Sequence, residues 1–204
     1  MNEAGEPKSG REPKSGHEPD PGHEPIEIAD DSLVLLVGAA GSGKSSLAAR
    51  LFRPESVLSS DAIRAELTGD ESNQAVTRRA FRILHERAER RVVAGRLTVI
   101  DATNIGASAR RPLTRQAEGY RRPVIVLVLD LPAEVCLARN ARRAGRVVPE
   151  AAVQRQLANL RRELDRGVLD TEARQGAEHR VIVLTTSADV AALTVRPAGR
   201  PLRS

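Results

Sequence analysis

The chain has 204 residues, with 32 lysines and arginines against 27 aspartates and glutamates, so its formal net charge at pH 7 is +5. Its single cysteine, Cys136, excludes an internal disulfide and a zinc site built from several cysteines. The sequence contains no apolar run of the roughly 18 residues that a membrane-spanning helix needs, so we expect a cytoplasmic protein without membrane attachment.

The first 25 residues differ from the rest of the chain. The hexapeptides EPKSGR, EPKSGH and EPDPGH follow one another from Glu6 to His23 and offer no apolar side chain that could build a core. Their proline, glycine and charge content predicts a disordered tail over residues 1–25. The rest of the chain has 29 basic and 21 acidic residues, a net charge of about +8. Such a charge suits a polyanionic partner, and a bias towards arginine codons explains it equally well.

Short apolar segments alternate with helical patterns after the tail. The predicted strands are 33–37, 56–60, 96–101, 123–129 and 180–184, and the predicted helices are 46–52, 61–67, 75–94, 108–119, 132–141, 149–165 and a short one from 187. This alternation predicts an α/β fold of the P-loop NTPase type, a parallel sheet of about five strands sandwiched by helices. We expect one domain over residues 26–195 and a frayed end over residues 196–204.

A phosphate-binding signature lies between the first predicted strand and the first predicted helix. Lys44 is the one lysine after residue 25, and its octet fits G-x-x-x-x-G-K-[ST]. The glycines let main-chain N–H groups turn inward as an anion nest, and the helix N-terminus adds partial positive charge. Lys44 would reach the β- and γ-phosphates, and Ser45 would ligate Mg²⁺. The residues expected to bind ATP are Gly38, Ala39, Ala40, Gly41, Ser42, Gly43, Lys44, Ser45 and Ser46.

Two aspartates follow predicted strands, where the ligands of parallel α/β sheets bind. Asp101 would hold Mg²⁺, although a strand-terminal aspartate can also be a turn former, and Asn104 is expected on the acceptor side of the same rim. Asp61 is placed to accept the proton of an acceptor hydroxyl, and Arg64, one helical turn later, to grip an acceptor phosphate. A helix-capping aspartate with a surface arginine is the alternative, which the spacing alone slightly favours.

An arginine-rich segment, residues 139–146, separates two predicted helices and has the composition of a lid that closes over phosphates. Arg139 and Arg143 are four residues apart and would share a helix face. There they would stabilise the charge of a transferring phosphoryl group in the manner of an arginine finger. The alternative is a solvated basic face.

Five segments in this order resemble the kinase domain of bacterial polynucleotide 5′-kinases, the end-healing P-loop phosphotransferases. They are GAAGSGKS from Gly38, LSSDAIR from Leu58, GDESNQ from Gly69, DATN from Asp101 and LARN from Leu137. The resemblance runs from about residue 33 to residue 184. The lid departs from the family, with AGRVV where a stretch rich in proline, aspartate and arginine is usual. The phosphatase and ligase domains that often accompany the family have no room here, so we expect a stand-alone kinase.

The resemblance implies roles for individual residues. Asp61 would be the general base, Arg64 would contact the acceptor end, and Gln74 would lie near the acceptor. Arg139 and Arg143 would be the lid arginines.

The implied activity is transfer of the γ-phosphate of ATP, with Mg²⁺, to a 5′-hydroxyl of RNA or DNA, so nucleic-acid 5′ ends are the expected partners; a homodimer is possible. A small-molecule kinase of the gluconate-kinase or antibiotic-phosphotransferase type, or a toxin that phosphorylates a nucleotide sugar, shares the fold and the acceptor-site aspartate. A non-catalytic ATP-binding subunit is the third alternative. Because aromatic residues are scarce, base-stacking platforms are not expected.

Overall fold

The computed structural model describes residues 25–68, 76–144, 147–169 and 179–198. Its strands are β1 Ile26–Ile28, β2 Leu33–Gly38, β3 Val57–Ser59, β4 Thr98–Asp101, β5 Val124–Leu129, β6 His179–Leu184 and β7 Val195–Pro197. Its helices are α1 Lys44–Leu51, α2 Ser60–Thr68, α3 Thr77–Val93, α4 Ala107–Gly119, α5 Ala133–Ala141, α6 Glu150–Asp165 and α7 Ser187–Ala192. Among the described residues, no helix is long and apolar enough to cross a membrane.

Five of the strands form one parallel sheet in the order β3-β4-β2-β5-β6, which confirms the predicted fold class. The central strand β2 is buried along its whole length, as its uninterrupted apolar sequence predicts. Its side chains alternate between two cores. Leu33, Leu35 and Val37 pack with residues of α3, α4 and α6, whereas Val34 and Leu36 pack with residues of α1 and β1. Helices therefore cover both faces, and the loops after the strands meet at one edge.

A second, two-stranded parallel sheet pairs β1 with β7. Ile26 and Ile28 of β1 are buried in the core on the α1 side of the main sheet, together with Leu193. The prediction that residues from 196 onwards are frayed is wrong for Arg196 and Pro197, which pair with Glu27 and Ile28. Three-residue strands give too short a pattern to identify from sequence, and the pairing joins residues almost 170 positions apart.

A buried arginine fixes the loop that follows β4. Arg110 of α4 has no exposed surface. Its Nη1 donates to the carbonyl oxygens of Asn104, at 2.9 Å, and Ile105, and its Nη2 donates to Oε2 of Glu163 on α6 at 3.1 Å. The ion pair with Glu163 compensates the cost of burying the charge. The loop after β4 and the helix α6 are therefore held as one unit.

Candidate active site

A crevice of about 430 Å³ opens at the carboxyl edge of the sheet, where the predicted phosphate loop, strand-end aspartates and arginines meet. Four of the side chains that line it are cationic and two are acidic, which leaves an excess of positive charge. The charged lining residues are Lys44, Arg64, Arg139, Arg143, Asp61 and Asp101. Such a charge balance suits a polyphosphate ligand.

The phosphate loop joins β2 to α1, as predicted. Gly41 and Gly43 have φ angles of 80° and 98°, in the left-handed region that glycine adopts without strain. A Cβ atom at Gly41 would lie 2.0 Å from the main-chain oxygen of Cys136, so α5 packs directly against the loop. Of the predicted ATP-binding residues, Ala40, Gly41, Gly43, Lys44, Ser45 and Ser46 line the crevice, and Gly38, Ala39 and Ser42 form its buried support.

Lys44 is held in place by the loop that surrounds it. Its Nζ donates to the carbonyl oxygens of Gly38 at 2.9 Å and Ala39 at 2.8 Å, with a longer contact of 3.4 Å to Oγ of Ser42. Burial lowers the pKa of Lys44 from 10.5 to about 8, and the negative charge of Asp101 acts in the opposite direction. A bound polyphosphate would favour the charged form, so this amine is placed where phosphate binding and protonation support one another.

Ser45 and Asp101 line the same crevice, which is the arrangement that the predicted Mg²⁺ site requires. Asp101 ends β4 and is buried, and β4 pairs directly with β2, the strand that leads into the phosphate loop. One hydroxyl and one carboxylate fit a magnesium ion that takes its remaining ligands from phosphates and water. The donor set therefore fits Mg²⁺ bound together with a nucleotide. No cluster of three or more metal-ligating side chains occurs among the described residues.

Asp61 lines the same crevice as the phosphate loop. The helix α2 begins at Ser60, and Oγ of Ser59 accepts from the main-chain N–H of Ala62 at 3.4 Å, so Asp61 lies in the first turn and is not the helix cap. Arg64 is 4% exposed and donates to Oδ1 of Asp61. The alternative of a surface arginine is therefore wrong. Arg64 orients the carboxylate of Asp61 and also lines the crevice, and its contact with an acceptor stays a prediction.

The two predicted lid arginines also reach the crevice. Arg143 Nη2 lies 3.9 Å from Oδ2 of Asp61, which is within ion-pair range. Arg139 is exposed, donates to Oγ of Ser187 at 2.9 Å, and approaches within 3.7 Å of the position that a Cβ atom would take at Gly43. The lid arginines therefore contact different parts of the crevice, Arg143 beside the acidic group and Arg139 beside the phosphate loop.

One predicted acceptor-side residue, Asn104, is not among the described residues that line the crevice. Asn104 is buried, and its Nδ2 donates to the carbonyl oxygens of Leu36 at 2.9 Å and Ile100 at 3.4 Å. We expected Asn104 to contact the acceptor. In the structure its amide has a structural role instead, because it links the ends of β2 and β4. Gln74, the other predicted residue, lies outside the described residues.

Several lining residues were missed by sequence reasoning. Thr77 and Phe81 lie one helical turn apart on α3, and Gln156 comes from α6. Asn140, which is not among the described lining residues, links the start of the lid to its end, because its side chain donates to the carbonyl of Val148 at 2.7 Å and accepts from the N–H of the same residue at 3.1 Å. A weak signal existed for Gln156, which shares the inward row of α6 with Val153 and Leu160.

One family model, AAA_33, described as an AAA domain, matches residues 33–164, which is more than half of the chain. No curated protein matches the chain. The matched range contains the phosphate loop, both aspartates and both lid arginines.

Solved structures share the fold. A chain of the Pnkp1/Rnl/Hen1 RNA repair complex is 17% identical with a TM-score of 0.59, over 83% of this chain and 80% of that chain. A chain of the AvrRxo1-ORF1:-ORF2 complex with ATP is 14% identical with a TM-score of 0.57, over 76% of this chain and 55% of that chain. A putative kinase from Chloroflexus aurantiacus is 14% identical with a TM-score of 0.50, over 78% and 90%. At these identities the likeness establishes the fold.

Proposed function

The chain belongs to the AAA_33 family and is a P-loop kinase-like domain, and on that premise we propose that it transfers the γ-phosphate of ATP to the 5′-hydroxyl of RNA or DNA. One observation carries the proposal. The phosphate-binding Lys44 and the carboxylate of Asp61 line the same crevice, so a terminal phosphoryl group and an acceptor hydroxyl can meet between them.

Each charged side chain has a task in this reaction. Asp61, oriented by Arg64, accepts the proton of the acceptor hydroxyl, while that oxygen forms a bond to the γ-phosphorus. The bond between the γ-phosphorus and the β–γ bridging oxygen breaks, and ADP leaves. Lys44, Arg139 and Arg143 offset the negative charge that moves through the crevice. Ser45 and Asp101 would hold a Mg²⁺ ion that neutralises phosphate charge.

The charge around the crevice supports a polymeric acceptor. The helix α3 contributes Thr77 and Phe81 to the crevice, and Arg78 and Arg82 each follow one of them by a single position and are exposed. Exposed arginines on the helix that lines the crevice would attract the phosphates of a nucleic-acid strand to this part of the surface. The resemblance of LSSDAIR and DATN to the polynucleotide 5′-kinases supports the same acceptor.

A small-molecule kinase is the second candidate. Among the described residues, and apart from the phosphate loop and the charged groups, the lining of the crevice includes the hydroxyls of Ser60, Thr77 and Thr103 and the apolar ring of Phe81. Hydroxyls and an apolar ring suit the polar edge and the apolar face of a sugar as well as they suit a nucleoside. The presence of Asp61 in the same crevice as Lys44 argues against a binding subunit without catalysis, which has no need of a proton acceptor there.

A transfer assay with γ-labelled ATP distinguishes the candidates. The acceptors are one RNA and one DNA oligonucleotide with a 5′-hydroxyl, the same oligonucleotides with a 5′-phosphate, free nucleosides, sugars and antibiotics. We expect label on the 5′-hydroxyl oligonucleotides only, and a KM that rises steeply with salt because the acceptor is a polyanion. Label on a sugar or an antibiotic, with a shallow salt dependence, would establish the second candidate. ATP binding without label on any acceptor would indicate the binding subunit.

A further inference from the structure

Gln156 connects the helix that follows the lid to the phosphate loop. Its neighbours on the inward row of α6, Val153 and Leu160, are completely buried, so the row is fixed against the core. Gln156 Oε1 accepts a hydrogen bond from the main-chain N–H of Ala40 at 2.8 Å, and Gln156 lines the crevice together with Lys44 and Asp61. The side chain thus lies against the phosphate loop, on the wall of the crevice that Asp61 also lines.

The bond to Ala40 also determines which way the carboxamide is turned. An N–H group can be accepted only by the oxygen of the amide, so the nitrogen, with its two N–H donors, forms the other end. No described residue accepts a hydrogen bond from that nitrogen. A partly buried amide that leaves both donors on the wall of a cationic crevice has the capacity to bind an anionic oxygen.

We propose that Gln156 is a further catalytic residue whose carboxamide N–H groups donate to the γ-phosphoryl oxygens of a bound nucleoside triphosphate. The inference rests on the proposed function, since it needs a triphosphate on the loop. If Lys44 and Asp61 contact the two sides of the transfer, the γ-phosphoryl group lies in the crevice between them, and Gln156 lines that crevice while bonded to the phosphate loop at Ala40. Neutral N–H donors at this position stabilise the negative charge of the phosphoryl group and do not add another cation that would pair with Asp61.

The competing explanation is that Gln156 only supports the loop, and two substitutions separate the explanations. Gln156→Glu keeps an oxygen that accepts from the N–H of Ala40 but replaces the two donors with a negative charge. Gln156→Leu removes both the acceptor oxygen and the two N–H donors and leaves a side chain of similar size. Loop support alone predicts that Gln156→Glu is the milder change, whereas donation to a γ-phosphoryl group predicts that it is the more damaging one.

The experiment measures the binding of ADP and of the non-hydrolysable β,γ-imido analogue of ATP, with Mg²⁺, by calorimetry on the full chain. The matched control is Gln154→Leu, because Gln154 lies on the same helix, is exposed, and bonds only to Glu150 at 2.9 Å. We expect Gln156→Glu to weaken the analogue by roughly 10- to 100-fold more than it weakens ADP. Gln156→Leu should show a smaller difference of the same sign, and the control should bind both like the unchanged protein.

Three results would overturn the inference. Equal losses for ADP and the analogue would place the contact away from the γ-phosphate. Binding restored by Gln156→Glu relative to Gln156→Leu would reduce the residue to a loop support. Failure of the unchanged protein to bind either nucleotide would remove the proposed function and this inference with it. Melting temperatures of all variants show whether the fold is retained, so a loss of affinity is not confused with unfolding.

Discussion

The two sides of the crevice are built in different ways. On the nucleotide side, the phosphate loop grows out of the fully buried strand β2, Lys44 is bound by main-chain oxygens, and Gly41 is packed against α5. On the acceptor side, the groups are held mainly by other side chains. Arg64 holds Asp61, and Arg143 is a third exposed and lies 3.9 Å from Oδ2 of Asp61.

This difference suggests which part of the site can vary. Main-chain bonds and core packing tolerate little change, so the nucleotide side is fixed before any ligand arrives. The ion pair of Arg143 with Asp61, in which both side chains are partly exposed, contributes less and can be exchanged. A kinase built this way can keep the same phosphate donor while its acceptor changes. Substitutions on each side of the crevice test this division separately.

The largest effect is expected on the nucleotide side. Lys44→Ala removes the charge that faces the phosphates and leaves the carbonyl oxygens of Gly38 and Ala39 without their donor. We expect nucleotide binding to weaken strongly and transfer to fall by about 10³-fold or more. Lys44→Arg is the control, since it keeps the charge without the compact amine. Calorimetry and the label-transfer assay measure both, and retained transfer in Lys44→Ala would contradict the assigned nucleotide site.

A large effect of a different kind is expected at Asp61. Asp61→Asn keeps the size of the side chain but cannot accept the hydroxyl proton, so transfer should fall by roughly 10²- to 10⁴-fold. The affinity for ATP should change little, because Asp61 lies on the acceptor side. Single-turnover kinetics and nucleotide binding, measured on the same preparation, separate the two quantities. Unchanged turnover would exclude Asp61 as the base.

An intermediate effect is expected at the lid. Arg143→Ala removes a guanidinium group from the crevice and should lower kcat by roughly 10- to 100-fold with a smaller change in KM for ATP. Arg142→Ala is its matched control, because Arg142 is exposed, adjacent in sequence and not part of the crevice lining. Steady-state kinetics on both variants test the assignment, and equal losses would show that the lid acts through overall charge.

The smallest effect concerns the reactivity of cysteine thiols, which reports how rigid the nucleotide side of the crevice is. Cys136 has no exposed surface, and burial raises the pKa of its thiol. We expect it to stay unreactive towards a thiol reagent at pH 8 until the protein unfolds. A thiol introduced by Val147→Cys, at a lid position that is 53% exposed, should react at once. Mass spectrometry counts the labels, and rapid modification of native Cys136 would show that the nucleotide side opens.

The same division explains what the sequence could predict. Uninterrupted apolar strands and a glycine-rich loop are local patterns, so β2, β5 and the phosphate loop were predicted closely. The structural role of Asn104 was not predicted, because no local sequence pattern distinguishes an amide that links two strand ends from an amide that contacts a substrate. Gln156 was missed for a related reason, since its bond to Ala40 spans 116 positions.

The pairing of β1 with β7 has a practical consequence for anyone who trims this chain. Truncation at residue 195, a boundary that the sequence suggests, would delete Arg196 and Pro197 and strip Glu27 and Ile28 of their partners. The apolar side chains of Ile26 and Ile28 would then lose cover, and the shortened protein should become prone to aggregation. The paired strands β1 and β7 hold the two ends of the domain together, so protein prepared for crystallisation should retain both strands.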